Sequence, residues 1–502
     1  MGLERITPEQ AGISGEKVKE CIQKLMHDET QMHGFMAARD GKVFAEGWWT
    51  PYGPERIHCN HSLGKSYTAA AIGILYTQRK LKLEERVVDL FADELRQYGI
   101  EPDENMKKLT VYHVLTMTNG MARHPIMDAD WLKNYLAEPV VAEPGTEFLY
   151  NSSGSCLLGA VVKKKTGKGM REFLKEFLFD KIGIDGERFQ IFRFPDGYDA
   201  EPGTASVTED NLRLAILFMN YGNWNGEQII AEDWMHMAMS CQISTEPNGG
   251  TEDYRHGYGF QLWNSAIPGV YRFDGGQGQY GLIWPERKIA VAIHEGAVMP
   301  EGPQITLDVL YEYLLNEMQN EPLPEDPQAD AALLEFERNL KVPEQEANTL
   351  YVPTECFSGS YAVVSGDGDP WISVAPGGYN FFTCFYHDDK KQAFTDFTLK
   401  MDEQKCVFTV DGYAVFEAYF DGKHHPVYTD NVLPEIGWNC SYARYLDEDT
   451  LQITTKWLNG WFDDRIVIKK KGDILEMTFY KDRLTVSDNR YTIKHCIAKR
   501  QQ

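Results

Sequence analysis

Long apolar runs are missing from this chain. No stretch approaches the ~18 uncharged apolar residues that a membrane-spanning helix needs, and the most apolar segment, after Lys65, is broken by Thr68, Thr77 and Gln78. The opening MGLERITPEQAGISGEK carries charges and a proline where a secretion signal would have a basic end and then an apolar core. A cytoplasmic location is expected, with no membrane partner. Positive charge is scarce as well: 50 Lys and Arg stand against 75 Asp and Glu, a formal net charge of -25. Such a surface repels phosphate backbones and anionic lipid heads, which argues against nucleic acid as a partner. The nine cysteines are odd in number and show no CxxC spacing, so they read as reduced thiols rather than a disulfide frame or a Cys-rich zinc site. His294-Glu295 begins like the zinc motif HExxH, but Val298 stands where the second histidine is required.

What is present is enough for more than one core. A single hydrophobic core stops growing near ~250–300 residues, so 502 residues imply two or three domains. Val18, Ile22, Leu25 and Met26 fall at helical spacing from Gly15 to about Glu29. GFMAARDGKVFAEGWW then sets a polar Arg39-Asp40-Gly41-Lys42 turn between two apolar runs, a hairpin signal. Ser62 opens an Ala-rich segment to about Lys80, which should be a buried helix. Residues 84–235 alternate helical patterns with Gly, Pro and Asn breaks, strand character returns from Gly257 through KIAVAIHEG at 288–296, and a terminal helix carries Ile305, Val309, Leu310, Tyr313 and Leu314 on one face. Strands at both ends of this region predict one sheet closed by remote segments. NEPLPEDPQAD at 320–330 is acidic and Pro-rich and reads as a linker ahead of a short helix. Beyond about 350, short runs such as LQITTKW, RIVIKK and ILEMTFY are split by Gly and Asp turns. The class is therefore α+β, with a first domain over 1–320, a linker with a short helix over 321–349, and an all-β barrel or sandwich over 350–502.

Three motifs invite chemistry. Gly276-Gln277-Gly278-Gln279-Tyr280-Gly281 matches the dinucleotide fingerprint GxGxxG, but strand-like LIW follows it where phosphate binding needs a helix N-terminus. SxxK occurs at Ser14-Gly15-Glu16-Lys17, where the serine is better explained as a helix N-cap, and again at Ser62-Leu63-Gly64-Lys65. Residues three apart share a helix face, so the Ser62 hydroxyl and the Lys65 amine can touch. A lysine sunk against an apolar helix can accept a serine proton. A lone SxxK is also what an N-capping serine and a snorkelling lysine produce.

Other segments lift the second SxxK above that alternative. PGTEFLYNSSGSCLLG, LTVYHVLTMTNGM at 109–121 and ASVTEDNLRLAILFMNYGNWNG at 205–226 occur in the order found in the serine β-lactamase and penicillin-binding-protein superfamily. The chain resembles its class C-like esterase and D-aminopeptidase branch over about residues 5–318. The resemblance implies a β-lactamase-like catalytic domain, an antiparallel sheet flanked by helices with a mostly helical subdomain. It also implies Ser62 as nucleophile, with Lys65 and Tyr150 as general base and acid, and an oxyanion hole from the backbone N–H groups of Ser62 and Gly276. Ser152 stands where the family usually has asparagine. The sheet triplet, Lys-Thr-Gly or His-x-Gly in the family, aligns as Phe273-Asp274-Gly275, leaving no cation for a substrate carboxylate. Ser152, Phe273, Asp274 and Gly275 are thus the candidate substrate contacts. Asp274 is either a turn carboxylate without a substrate role or an acceptor for a substrate ammonium group.

The expected activity is a two-step acyl-enzyme hydrolysis of a small ester, amide or D-amino-acid-containing peptide, uncharged where a penicillin carries its carboxylate. No metal or organic cofactor is required. A persistent acyl-enzyme in a sensor protein, or transfer of the acyl group to an alcohol or amine, uses the same residues. The β-rich tail has no catalytic constellation of its own; by analogy it covers the cleft or mediates self-association into a homo-oligomer.

Overall fold

A computed structural model describes residues 2–501 apart from 195, 249, 367–394, 413, 430–436, 461–462 and 483–492. Six strands form the first sheet: β1 (Met32–Arg39), β2 (Lys42–Trp48), β3 (Trp263–Asn264), β4 (Tyr271–Gly275), β5 (Gln279–Trp284) and β6 (Ile289–Glu295). Their order is β2-β1-β6-β5-β4-β3 and every pairing is antiparallel. The two ends of the region therefore meet in one sheet, as the remote strand patterns predicted. The β1–β2 turn uses Asp40 (φ 50) and Gly41 (φ 76), the left-handed pair that matches the twist of a two-residue hairpin. The GxGxxG segment is the β4–β5 turn running into β5, so it carries no helix N-terminus.

Helix α1 (Gly15–Leu25) starts at Ser14, whose side chain accepts from the Lys17 N–H, and it packs on one face of the sheet. Between the strand segments lie α2 (Gly64–Thr77), α3 (Ser152–Thr166) and α4 (Thr208–Met219). Twelve of the 14 residues of α2 are buried, which is the position expected of a helix that is apolar on all sides. A further helix, α5 (Glu301–Leu310), and the turn after it return to α1.

The segment read as a linker is docked. Asp326 caps helix α6 (Pro327–Arg338), and Leu333 and Leu340 are buried with the α1 side of the first core. Thr50 then receives the chain: its N–H donates to Leu340 O at 3.0 Å and its carbonyl accepts from Val342 N at 2.9 Å.

The C-terminal region is a closed nine-stranded barrel: β7 (Gly359–Gly366), β8 (Asp396–Met401), β9 (Lys405–Val410), β10 (Ala414–Tyr419), β11 (Trp438–Asp447), β12 (Thr450–Trp457), β13 (Asp463–Lys471), β14 (Ile474–Asp482) and β15 (Ile493–Arg500). Neighbours pair antiparallel except at the closure, where β10 meets β11 in parallel through Ala418 and Tyr419. Leu475, Met477 and Phe479 alternate into a filled interior, the period-two pattern of a strand with one wet face. The β12–β13 turn reaches the first domain: buried Asn459 accepts from Cys59 N (2.8 Å) through its carbonyl and donates Nδ2 to Ile57 O (2.6 Å).

Candidate active site

Ser62 is placed by a short stretch of backbone with few freedoms. His58–Cys59 forms a two-residue strand against Ser206 and Ala205, and Asn60, fully buried, follows. Its amide donates to Thr204 Oγ1 (3.1 Å) and Ser206 Oγ (3.0 Å) and accepts from Asn211 Nδ2 (2.9 Å). His61 then takes φ 51, a left-handed conformation that a β-carbon disfavours and that persists where surroundings over-determine it. The His61–Leu63 turn leads into α2, and one turn on the Lys65 Nζ, almost fully buried, lies 2.7 Å from Ser62 Oγ.

Tyr150 immediately precedes the N-cap of α3. Ser62 acts on its hydroxyl, its ring stacks on Trp263 at 5.8 Å, and Lys65 Nζ stands 4.9 Å from the ring centroid. Phe148, Tyr254 and Tyr258 complete an aromatic shell around it. Tyr258 and Trp263 belong to this shell, whereas Trp131 packs elsewhere on Phe194. The resemblance to the serine β-lactamase superfamily implies a phenol acidified by neighbouring positive charge. Here burial dominates and pushes the Tyr150 phenol up, with Ser62 opposing and Asp274 adding to the rise. Tyr150 is a neutral phenol at physiological pH. Its replacement by phenylalanine is expected to lower kcat about 10²-fold with little change in KM, as read from steady-state kinetics on a chromogenic ester; an unchanged kcat would remove Tyr150 from proton transfer.

The asparagine absent from position 152 is found one residue earlier with another task. Asn151 Oδ1 accepts from Gly154 N (3.1 Å) and Ser153 Oγ (2.7 Å), capping α3. Ser152 is buried and donates its backbone N–H to His124 Nε2 (2.9 Å), while His124 Nδ1 donates to Pro125 O (2.8 Å). These two contacts select the neutral Nδ1–H tautomer. Burial, helped by the Lys65 charge, lowers the pKa of His124. His124 belongs beside Lys65 and Ser152, and no sequence motif marked it.

The sheet-edge triplet requires correction. Phe273 does not face a substrate: its side chain is wholly buried and meets Phe218 of α4 edge-on at 4.9 Å. Asp274, on the opposite face of β4, is neither a solvated turn carboxylate nor free for an ammonium group. Arg272 Nε donates to it at 2.8 Å and the Tyr254 hydroxyl at 3.0 Å, all within a buried cluster that continues to Asp253. Burial disfavours the Arg272 charge, but Asp274 and Asp253 outweigh it and hold the guanidinium protonated. That cation, invisible to the motif because it precedes the triplet, is shielded by Tyr254 and Trp263 at 5.1 and 5.7 Å. Gly275 is different: a Cβ there would lie 2.1 Å from Asn60 O and 3.1 Å from Leu63 N, so β4 presses its backbone on the nucleophile turn. Gly276 follows, facing the His61 ring.

The Gly275–Gly278 turn is supported from beneath. Gln279 Nε2 donates to Glu295 O (2.7 Å) and lies 3.3 and 3.2 Å from the carbonyls of Gly276 and Gln277. The Glu295 carboxyl sits under Gly278 and accepts from Thr306 Oγ1 at 2.8 Å; burial raises its pKa far above the carboxylate range, the Thr306 bond opposing.

A chain of buried histidines backs the nucleophile turn. His33 Nδ1 and His58 Nε2 share a hydrogen bond of 2.9 Å, His58 stacks on His294 at 4.6 Å, and His294 Nε2 is 3.0 Å from Asn60 Oδ1. Burial pushes His58 down to about 4 and His61 down to about 3, with His58 and Lys65 adding to the latter; His294 is lowered for the same reason. Each depressed pKa means that the unfolded state binds the proton more readily, so stability present above pH ~6.5 is lost as pH falls toward the folded-state values. His58 alone accounts for about 3 kcal/mol by pH ~4. Glu295, whose raised pKa works in the opposite direction, makes the comparison one of variants: the stability of the wild type relative to His58→Gln, from urea unfolding, should fall by about 3 kcal/mol between pH ~7 and ~4; a pH-independent difference would contradict neutral burial.

Among the described residues no group of His, Cys, Asp and Glu could hold a metal ion, and no helix is long and apolar enough to cross a membrane. The Beta-lactamase family model matches residues 18–295. Penicillin-binding protein 4 of Amycolatopsis lactamdurans is 29% identical over 272 residues, 46% of this chain and 70% of that protein. Monacolin J acid methylbutanoyltransferase of Aspergillus terreus is 27% identical over 108 residues, 18% of this chain and 26% of the relative. A penicillin-binding protein homologue from Caulobacter crescentus superposes with a TM-score of 0.50 at 14% identity, covering 62% of this chain and 100% of the other. With the family model spanning more than half of its length, this chain belongs to the Beta-lactamase family.

Proposed function

We propose that this chain is a serine acyl hydrolase that cleaves a small ester or amide through an acyl-enzyme on Ser62. The observation that carries the reading is the 2.7 Å contact of Ser62 Oγ with Lys65 Nζ, with the Tyr150 ring centroid 4.9 Å from the same amine. Lys65 in its neutral, deprotonated form takes the serine proton as Oγ attacks the acyl carbonyl, and the neutral Tyr150 phenol donates to the leaving group. Water then repeats the sequence in reverse roles and frees Ser62. The backbone N–H groups of Ser62 and Gly276 receive the oxyanion, a contribution of ~10²–10³ in rate per donor. The tight fit of Gly275 on the nucleophile turn supports this, since it sets the Gly276 backbone beside His61.

Substrates neutral at the triplet position are favoured, because Phe273 is in the core and Arg272 is committed to Asp274 and Asp253. A panel of p-nitrophenyl esters, aminoacyl amides of both chiralities and a chromogenic cephalosporin tests this. Ester or amide turnover at ordinary enzymatic rates with little on the cephalosporin is expected, and the converse would overturn the substrate reading. Residues 1–320 form the catalytic unit in this proposal, 321–349 a strap across it and 350–502 an accessory barrel. Acyl transfer is the second reading, motivated by the partial match to an acyltransferase; product analysis with added alcohols or amines separates it from hydrolysis.

A further inference from the structure

The seam between the first domain and the barrel holds an open cavity of about 540 Å³, lined by Pro51, Pro54, Ile57 and Trp438 among others. Two arginines line it. Arg56 sets its guanidinium 4.3 Å from the centroid of the Trp438 ring, and its Nε is buried with no hydrogen-bond partner. Among the described residues no carboxylate pairs with Arg56, and the groups that favour its charge are only Cys440 and Tyr52; burial lowers its pKa against them. Arg188 pairs with Glu55 and Asp210, yet its Nε is likewise buried and unbonded.

Arg213 takes Glu209 and Arg272 takes Asp274 and Asp253, while the half-buried Arg39 and Arg287, which pair with no carboxylate, spend their N–H groups on the backbone carbonyls of Ala11, Gln319, Leu315 and Met318. Among the described residues Arg56 has neither kind of acceptor. Stacking on tryptophan repays part of the desolvation of a guanidinium, but it leaves the in-plane N–H donors unused, and those donors match a carboxylate fork.

We infer that this seam cavity is a binding site, separate from Ser62, for an organic carboxylate whose anionic head meets the terminal N–H groups of Arg56 and whose apolar body lies against Trp438 and the prolines. The wall it would touch leads to the nucleophile: Ile57 O accepts from Asn459 Nδ2, Cys59 N donates to Asn459 O, and Ser62 is three residues further on. An occupant therefore bridges the barrel and the segment that carries the serine.

Isothermal titration of the full chain with 4-phenylbutanoate, and with 4-phenylbutan-1-ol as the uncharged probe, tests the inference. The acid is expected to bind at millimolar concentration or tighter, Arg56→Gln to weaken it at least about tenfold, Arg56→Lys to keep part of the affinity, and the alcohol not to bind. Ser62→Ala must bind the acid as the wild type does, which makes the result independent of the catalytic proposal. Thermal melts confirm that the Arg56 variants are folded. No binding by the wild type, equal binding by folded Arg56→Gln, equal binding of the alcohol, or loss of binding in Ser62→Ala would each overturn it.

Discussion

Replacing Ser62 by alanine should abolish turnover, with kcat falling about 10⁴–10⁶-fold while the melting temperature stays within a few degrees. The hydroxyl is half-buried and the change removes one atom, so folding has little to lose, whereas the acyl-enzyme route loses its only acceptor. Lys65→Met should fall almost as far. Methionine keeps most of the volume of a side chain that is buried in α2 and deletes the amine 2.7 Å from Oγ, leaving the serine proton without a taker. The effects of the two changes should not add, because residues that act as a unit fail as a unit. The readouts are steady-state rates on the best ester or amide and a thermal melt for each variant. A Lys65→Met enzyme with near-normal kcat would show that another group accepts the proton.

Gly278→Ala should be strongly damaging. The residue has φ +84, and an added Cβ would stand 1.6 Å from Glu295 Oε1, 2.4 Å from Cδ and 2.6 Å from Cγ. The left-handed backbone costs about 1–2 kcal/mol for a residue with a β-carbon, and the collision with a fully buried side chain adds more, for a total of about 3 kcal/mol or above. If the protein folds, the displaced turn carries Gly276 with it and kcat should drop at least about 10²-fold, the worth of one oxyanion donor. The double variant Gly278→Ala/Glu295→Ala should recover part of the lost stability, since the clash is then relieved while the backbone cost remains. A Gly278→Ala protein of wild-type stability and rate would contradict the placement of Glu295 beneath the turn.

The large elements were legible because their periodicities are strong: the β1–β2 hairpin, the apolar helix after Ser62 and the alternating Leu475, Met477 and Phe479 each bury a face that local spacing reveals. The segment 321–349 was harder. Its acidic, Pro-rich start reads as solvated linker, and only tertiary packing of Leu333 and Leu340 shows that it is a strap on α1 and β2. In the site, Ser62, Lys65 and Tyr150 stood out through ordered motifs and are brought together. Phe273 was read as a substrate contact from its place in the triplet, but strand alternation turns it into the core and leaves Asp274 and Arg272 on the other face. His124, Glu295 and Asn459 carry no local signature. Each works through a partner remote in sequence, namely Ser152, Gly278 and Cys59, which a motif cannot express.

Intact-mass analysis after treatment with a fluorophosphonate addresses the central claim directly. One adduct per chain should form, map to the peptide containing Ser62 and be absent from Ser62→Ala. A wild-type protein that stays unlabelled while folded, or an adduct on a different residue, would contradict a nucleophile activated by Lys65 and Tyr150.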